Sequence, residues 1–113
     1  MGTREKLERV NLADLQIATD VLQGRWKTTI LYHLARAPHR FGALRRAVVG
    51  ISEKVLIQQL RDLEAERLVS RTVEQTVPPR VEYTLTAHGR TLCDVVERMA
   101  RWGGAHRRHL ERR

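Results

Sequence analysis

Apolar positions in the first third of the chain recur with the spacing of a helix. Over residues 11–23, Leu12, Leu15, Ala18 or Thr19, and Leu22 fall on one side, and Val10, Ile17 and Val21 widen it beyond one narrow stripe. Gly24 interrupts the pattern. A second helix is expected over residues 25–37, with Trp26, Ile30, Leu34 and Ala37 on its apolar face and Pro38 as its stop. Trp26 reads as a core anchor and not as a ligand-stacking ring. A short third helix fits residues 41–48, with Phe41, Leu44 and Val48 inward and Arg45 and Arg46 outward. Gly50 breaks that period, and Ser52 is a favourable N-cap for a longer helix over residues 53–66. A short helix, a tight glycine-containing connection and a longer helix outline a helix-turn-helix.

After Leu68 the period falls to two. Val69, Arg71 and Val73 alternate with Ser70, Thr72 and Glu74, and Val81, Tyr83 and Leu85 alternate with Glu82 and Thr84. Between them, Gln75-Thr76-Val77-Pro78-Pro79-Arg80 holds prolines that cannot donate to a ladder and belong in the connection. Thr86 can cap a last helix carrying Leu92, Val95, Val96, Met99 and Trp102. The fold class expected is mainly α with a small β-hairpin: a winged helix-turn-helix with N- and C-terminal dimerisation helices. One domain covers residues 1–113, with its first two helices over 12–37 and the helix-turn-helix over 41–66. A wing hairpin over 69–85, a dimerisation helix over 86–103 and a basic, fraying tail over 104–113 complete it.

In such an arrangement one helix enters the major groove and the hairpin reaches along the backbone. The fourth helix has the two faces this demands. At about 100° per residue, Leu56, Leu60 and Leu63 share one narrow sector, while Lys54, Gln58 and Arg61 cluster opposite with no acid among them. A polar face by itself is what any solvated helix shows; the short helix before it and the hairpin after it give this one a role. Arg61 suits the Hoogsteen edge of guanine and Gln58 that of adenine. Ser52 and Lys54, near the helix N-terminus, suit phosphates or the first base step. Gln59, at the core boundary, is a further base-reading candidate. Arg45, Arg46 and the wing residues Pro79 and Arg80 suit the phosphate backbone.

Composition narrows the choice. The 113 residues carry a net charge of +8, with 42% hydrophobic and 30% charged residues, a globular balance. Five aromatic residues are too few for a single-strand stacking platform, and one cysteine, Cys93, forms no disulfide framework. No stretch is long and apolar enough for a bilayer and no signal-peptide core follows the start, so a cytoplasmic protein without membrane contact is expected. The five histidines are scattered; His106 and His109, three apart, read as a surface pair, and no metal or other cofactor is expected. No nucleophile elbow or phosphate-cradling loop is present, so no enzyme activity is expected. The charge itself is unevenly placed. Residues 41–85 have seven Lys/Arg against six Asp/Glu, whereas residues 86–113 have seven against three.

The last helix has two overlapping stripes, Leu92-Val96-Met99 and Val95-Met99-Trp102, and one small core covers only one of them. Ile17 and Val21 give the first helix the same surplus. Pairing of Ile17, Val21, Leu92, Val95, Val96, Met99 and Trp102 across a two-fold axis would bury both.

Several motifs in order resemble HxlR-type, MarR-like transcriptional regulators: Gly24-Arg25-Trp26-Lys27, then Arg40-Phe41-Gly42-Ala43-Leu44-Arg45-Arg46, then the run from Gly50-Ile51-Ser52-Glu53-Lys54 through Gln58-Gln59-Leu60-Arg61-Asp62-Leu63-Glu64. Val77-Pro78-Pro79-Arg80-Val81-Glu82-Tyr83 completes the likeness, which covers residues 12–103. It implies a homodimer binding a pseudo-palindromic double-stranded DNA operator, with the helix over 52–66 reading bases and the hairpin as wing. Many members of that family carry a Cys-Pro pair ahead of the Gly-Lys-Trp motif, some of them sensing oxidants with it. Ala13 and Asp14 stand at those positions, so the resemblance implies no thiol sensing there, and Cys93 reads as a small buried or interfacial hydrophobe. An unidentified small-molecule effector stays open as a partner. The alternative reading is a winged-helix protein-interaction module, or a ligand-responsive regulator, whose main partner is not DNA.

Overall fold

The computed structural model describes residues 2–112. In chain order the elements are α1 (Thr3–Glu8), α2 (Leu12–Val21), α3 (Lys27–Arg36), β1 (His39–Arg40), α4 (Phe41–Ala47), α5 (Glu53–Ala65), β2 (Val69–Glu74), β3 (Arg80–Leu85), α6 (Ala87–Arg90) and α7 (Cys93–Glu111). The fold is a winged helix-turn-helix. Its core joins Ile30, Leu31 and Leu34 of α3, Leu44 of α4 and Leu56, Leu60 and Leu63 of α5 with Val69, Tyr83 and Leu85 of the sheet.

Local chemistry fixes the boundaries. Pro38 disfavours a helical conformation at the residue before it, so Ala37 is extended (φ −168°, ψ 155°) and α3 stops at Arg36. Ala37 is therefore exposed and not part of the buried face expected for it. Trp26 precedes the first turn of α3, half-buried against the core, with its ring edge beside Gly50. Gly50 adopts φ +90° in the tight connection, and the Ser52 hydroxyl accepts from the Val55 N–H at 3.2 Å to open α5. At the other end Arg67 takes φ 60°, and the Leu68 N–H reaches back to the Leu63 carbonyl at 3.0 Å, a Schellman-type closure that aims the chain into β2.

The sheet is antiparallel in the order β1-β3-β2. His39 pairs with Tyr83 and Arg40 with Glu82, a two-residue strand too short to announce itself by alternation. In the hairpin, Val69 faces Leu85, Arg71 faces Tyr83 and Val73 faces Val81, so these six share one side. Ser70, Thr72 and Glu74 share the other with Thr84, Glu82 and Arg80. Arg80 is thus the first residue of β3, opposite Glu74, and not part of the connection.

Both chain ends differ from expectation. Helix α1 was not anticipated; its turn and a half is braced by an Arg4–Glu8 pair at 3.2 Å. The last helix is two pieces, α6 capped by Thr86, whose hydroxyl accepts from the Gly89 N–H at 2.9 Å, and α7 after a bend at Thr91-Leu92. The tail expected to fray over 104–113 is corrected as far as Glu111, to which α7 continues; Arg113 lies outside the described residues. Gly103 and Gly104 cost about 1 kcal/mol each in helix propensity. Good helix formers and the i,i+4 pairs Glu97–Arg101 (2.6 Å) and Arg107–Glu111 (3.5 Å) on either side offset that cost.

Neither α2 nor α7 contributes a buried side chain. Leu12 is 78% exposed and Trp102 67%. The molecule measures 58 × 35 × 22 Å with a radius of gyration of 16.8 Å, against about 13 Å for a compact chain of this length. Helix α2 touches the core through Val21 at its end and α7 through Cys93 at its start.

Candidate nucleic-acid interface

Helix α5 is sharply two-sided. Leu56, Leu60 and Leu63 are buried, whereas Lys54, Gln58 and Arg61 are exposed on the side away from them. Ser52 spends its hydroxyl on the N-cap and stays at the exposed entrance of the helix. Gln58 is already engaged: its Nε2 donates to Asp62 Oδ1 at 2.9 Å. The second oxygen of Asp62 accepts from Lys27 Nζ at 3.3 Å, across from the start of α3. Gln59 sits at the margin, half-buried, with its Oε1 covered and unpartnered within the protein.

On α4, Arg45 and Arg46 are both exposed, and Arg45 Nη1 lies 3.7 Å from Glu53 Oε2 at the start of α5. Pro79 and Arg80 are exposed on the wing, and Val77 at its tip has no cover at all. The Thr76 hydroxyl donates to the Pro78 carbonyl at 2.7 Å, which folds the tip back on itself.

Three cations near this surface escaped the sequence reading. Arg71 shares the inner side of the hairpin and, with Arg61, lines a hollow of about 550 Å³ between α5 and the sheet. Its signal was a lone cation between Val69 and Val73 in an alternating strand. Arg25 is exposed and holds its guanidinium 4.6 Å from the centre of the Trp26 ring. Lys27 is the third; sequence spacing gives no hint of its pairing with a residue 35 positions away.

The residues assigned to self-association divide into two groups. Leu92 and Val96 are half-buried along a largely apolar hollow of about 330 Å³ between α3 and α7, which Leu31, Leu85 and Cys93 also line. Val95, Met99, Trp102 and Ile17 are exposed, and Val21 is half-buried. Of the two stripes on α7, the chain's own core partly covers Leu92-Val96 and leaves the other open. His106 stacks on Trp102 with ring centres 4.8 Å apart. Among the described residues no three His, Cys, Asp or Glu are grouped to hold a metal ion, and no helix is long and apolar enough to cross a membrane.

Residues 21–111 match the HxlR-like helix-turn-helix family from the end of α2 to the end of α7. The chain belongs to the HxlR-like family. The transcriptional regulator YybR of Bacillus subtilis, described as HTH-type, is 42% identical over 97 residues, covering 86% of this chain and 78% of YybR. The redox regulator HypR in its reduced form superposes with a TM-score of 0.82 at 42% identity, over 87% of this chain and 97% of that one. A MarR-family transcriptional regulator from Enterococcus faecalis V583 superposes with a TM-score of 0.80 at 34% identity, over 92% of this chain and 94% of that one. This HxlR-like chain is accordingly a helix-turn-helix transcription regulator and not an enzyme. Its one cysteine, Cys93, is half-buried at the start of α7, and Ala13 stands exposed on α2.

Proposed function

We propose that this regulator binds double-stranded DNA sequence-specifically, as a homodimer on a pseudo-palindromic operator. The observation that carries the reading is the two-sidedness of α5: three leucines sealed in the core, and Lys54, Gln58 and Arg61 exposed on the opposite side. Arg61 offers two parallel donors to guanine O6 and N7, and Gln58 the donor–acceptor pair that adenine matches. Lys54 and Ser52 meet the first base step or its phosphate, with Gln59 as an outlying base contact. Arg45, Arg46, Arg80 and the Pro79 turn follow the phosphate backbone, where Arg71 and Arg25 join them.

Self-association rests on the open faces of α2 and α7. Ile17, Val95, Met99 and Trp102 are large apolar side chains left exposed, with Val21, Leu92 and Val96 half-buried beside them, and exposed apolar surface of this kind marks an interaction face. Pairing across a two-fold axis sets two copies of α5 about 34 Å apart, the repeat of successive major grooves. The working compartment is the cytoplasm, where its operator lies. The hollow between α3 and α7 is the place for an unidentified small-molecule effector, if one acts.

Selecting bound duplexes from a random pool tests the whole reading. The expected product is an inverted repeat with half-site centres about 10 base pairs apart, and binding that weakens steeply as salt rises. A pool that stays random after repeated rounds removes DNA as the main partner and leaves the protein-interaction reading.

A further inference from the structure

An acid flanks the face of α5 proposed to meet DNA, where phosphates would repel it. Asp62 is 42% exposed by side chain on α5, one turn beyond Gln58. It has two partners: Gln58 Nε2 on one carboxylate oxygen (2.9 Å) and Lys27 Nζ on the other (3.3 Å). The Lys27 side chain is only 12% exposed, so its stem is packed against the protein and its ammonium is held against this carboxylate.

We propose that Asp62 is a positioning residue for base recognition, fixing the sense of the Gln58 amide, with Lys27 holding Asp62 in place and cancelling its charge. The inference rests on the DNA-binding reading given above. A glutamine amide carries a donor end and an acceptor end, and rotation by half a turn exchanges them. Free in solution it presents either pattern to a base pair. A carboxylate only accepts hydrogen bonds and an ammonium only donates them. Asp62 therefore takes the Nε2 end of Gln58 and refuses the Oε1 end. Lys27, lacking an acceptor, can engage Asp62 without competing for the amide nitrogen. One Nε2–H is spent on Asp62, and the other remains with Oε1. That is the donor–acceptor pair adenine requires, with N7 as acceptor and N6 as donor. The i,i+4 spacing of Gln58 and Asp62 on one helix lets the pair form before any base arrives. Without Lys27, the carboxylate would stand unneutralised among phosphates.

The test uses the full chain and the base pair whose preference Gln58→Ala abolishes. Affinity is measured for all four bases there and for an unrelated duplex. Asp62→Ala is expected to reduce discrimination at that base pair about 5- to 10-fold, the low end of what a bidentate contact supplies. Affinity for the unrelated duplex should not fall, because loss of the carboxylate leaves Lys27 free to attract phosphate, and adding Asp62→Ala to Gln58→Ala should cost no further discrimination. Asp62→Asn, which still offers Gln58 an oxygen, should retain more discrimination than Asp62→Ala. In the free protein, the Gln58 side-chain amide resonances should shift on Asp62→Ala, a readout that needs no DNA. Discrimination intact in Asp62→Ala, or affinity lost equally for every base, overturns the proposal. A sequence preference that survives Gln58→Ala overturns it while leaving the DNA reading standing. An unmodified chain with no preference for any duplex brings down both.

Discussion

Gly89 offers a severe test of how the wing is joined to the terminal helix. It is the buried residue of α6, the single turn between β3 and α7. A methyl group added there would overlap the Leu68 carbonyl oxygen and lie 3.0 Å from the carbonyl carbon and 3.3 Å from Cα. The obstacle is main chain, so no side-chain rotation relieves it; α6 or the α5–β2 junction must move by about 1 Å. The same carbonyl accepts from the Thr86 N–H at 3.0 Å and from its hydroxyl at 3.3 Å. Overpacking costs about 1–3 kcal/mol, and weakening these hydrogen bonds adds about 0.5–1.5 kcal/mol for each one lost. Gly89→Ala should therefore destabilise by about 2–4 kcal/mol, a fall in Tm on the order of 10–20 °C. Gly103, inside α7, is the control: a Cβ there meets nothing within 4 Å. Alanine gains about 1 kcal/mol over glycine in a helix interior, so Gly103→Ala should hold or raise Tm. Both are read by thermal and urea denaturation at matched protein concentration, because association contributes to apparent stability. A Gly89→Ala protein melting within about 2 °C of the unmodified chain would refute the reasoning.

Arg61→Ala should relax preference at one operator base pair by about 1–3 kcal/mol, measured by titration on operator variants; unchanged preference removes Arg61 from the base-reading set. Val95→Glu should dissociate the homodimer proposed above without unfolding it, since Val95 is exposed where Val96 is half-buried. Sedimentation equilibrium with an unaltered dimer would contradict that interface. Arg67→Gly should stabilise by several tenths to about 1 kcal/mol, the left-handed strain at φ 60° less the extra chain entropy of glycine; a lower urea midpoint would speak against it. Burial, then the nearby His39 and Arg36, hold His33 below its ordinary pKa of 6.5. The folded state thus resists protonation, so its contribution to stability is complete above about pH 6.5 and is lost as pH falls through the lower folded value. His33→Gln should flatten urea midpoints across that window, and an unchanged pH profile would exclude His33 as their source.

The body of the fold was readable because its signals are local. Ser52 and Thr86 are caps whose side chains do in the structure what their positions imply, accepting from Val55 and Gly89. The leucines of α5 follow helical spacing, and the hairpin follows alternation about a proline-rich tip. What sequence concealed depends on distant partners. Strand β1 exists because β3 lends it a ladder. Arg80 looked like turn residue until its pairing with Glu74 fixed the register. Helix α7 outlasts two glycines through the residues and ion pairs around them. The polar face of α5 was visible as a set of residue types, but not that Lys27 reaches across to Asp62 and, through it, to Gln58.

The bareness of α2 and α7 bears on how such a regulator would respond to its own abundance. Their outward apolar residues, Leu12 and Trp102 among them, stand uncovered in a single copy, and the proposed pairing covers them only when two copies meet. If operator binding needs the pair, occupancy at low abundance rises with the square of the number of chains, and doubling expression quadruples it. A gene under such control switches over a narrower range of dosage than one read by a lone copy. Substitutions on α2 or α7 would then move the dose at which switching occurs and leave the recognised sequence as it was.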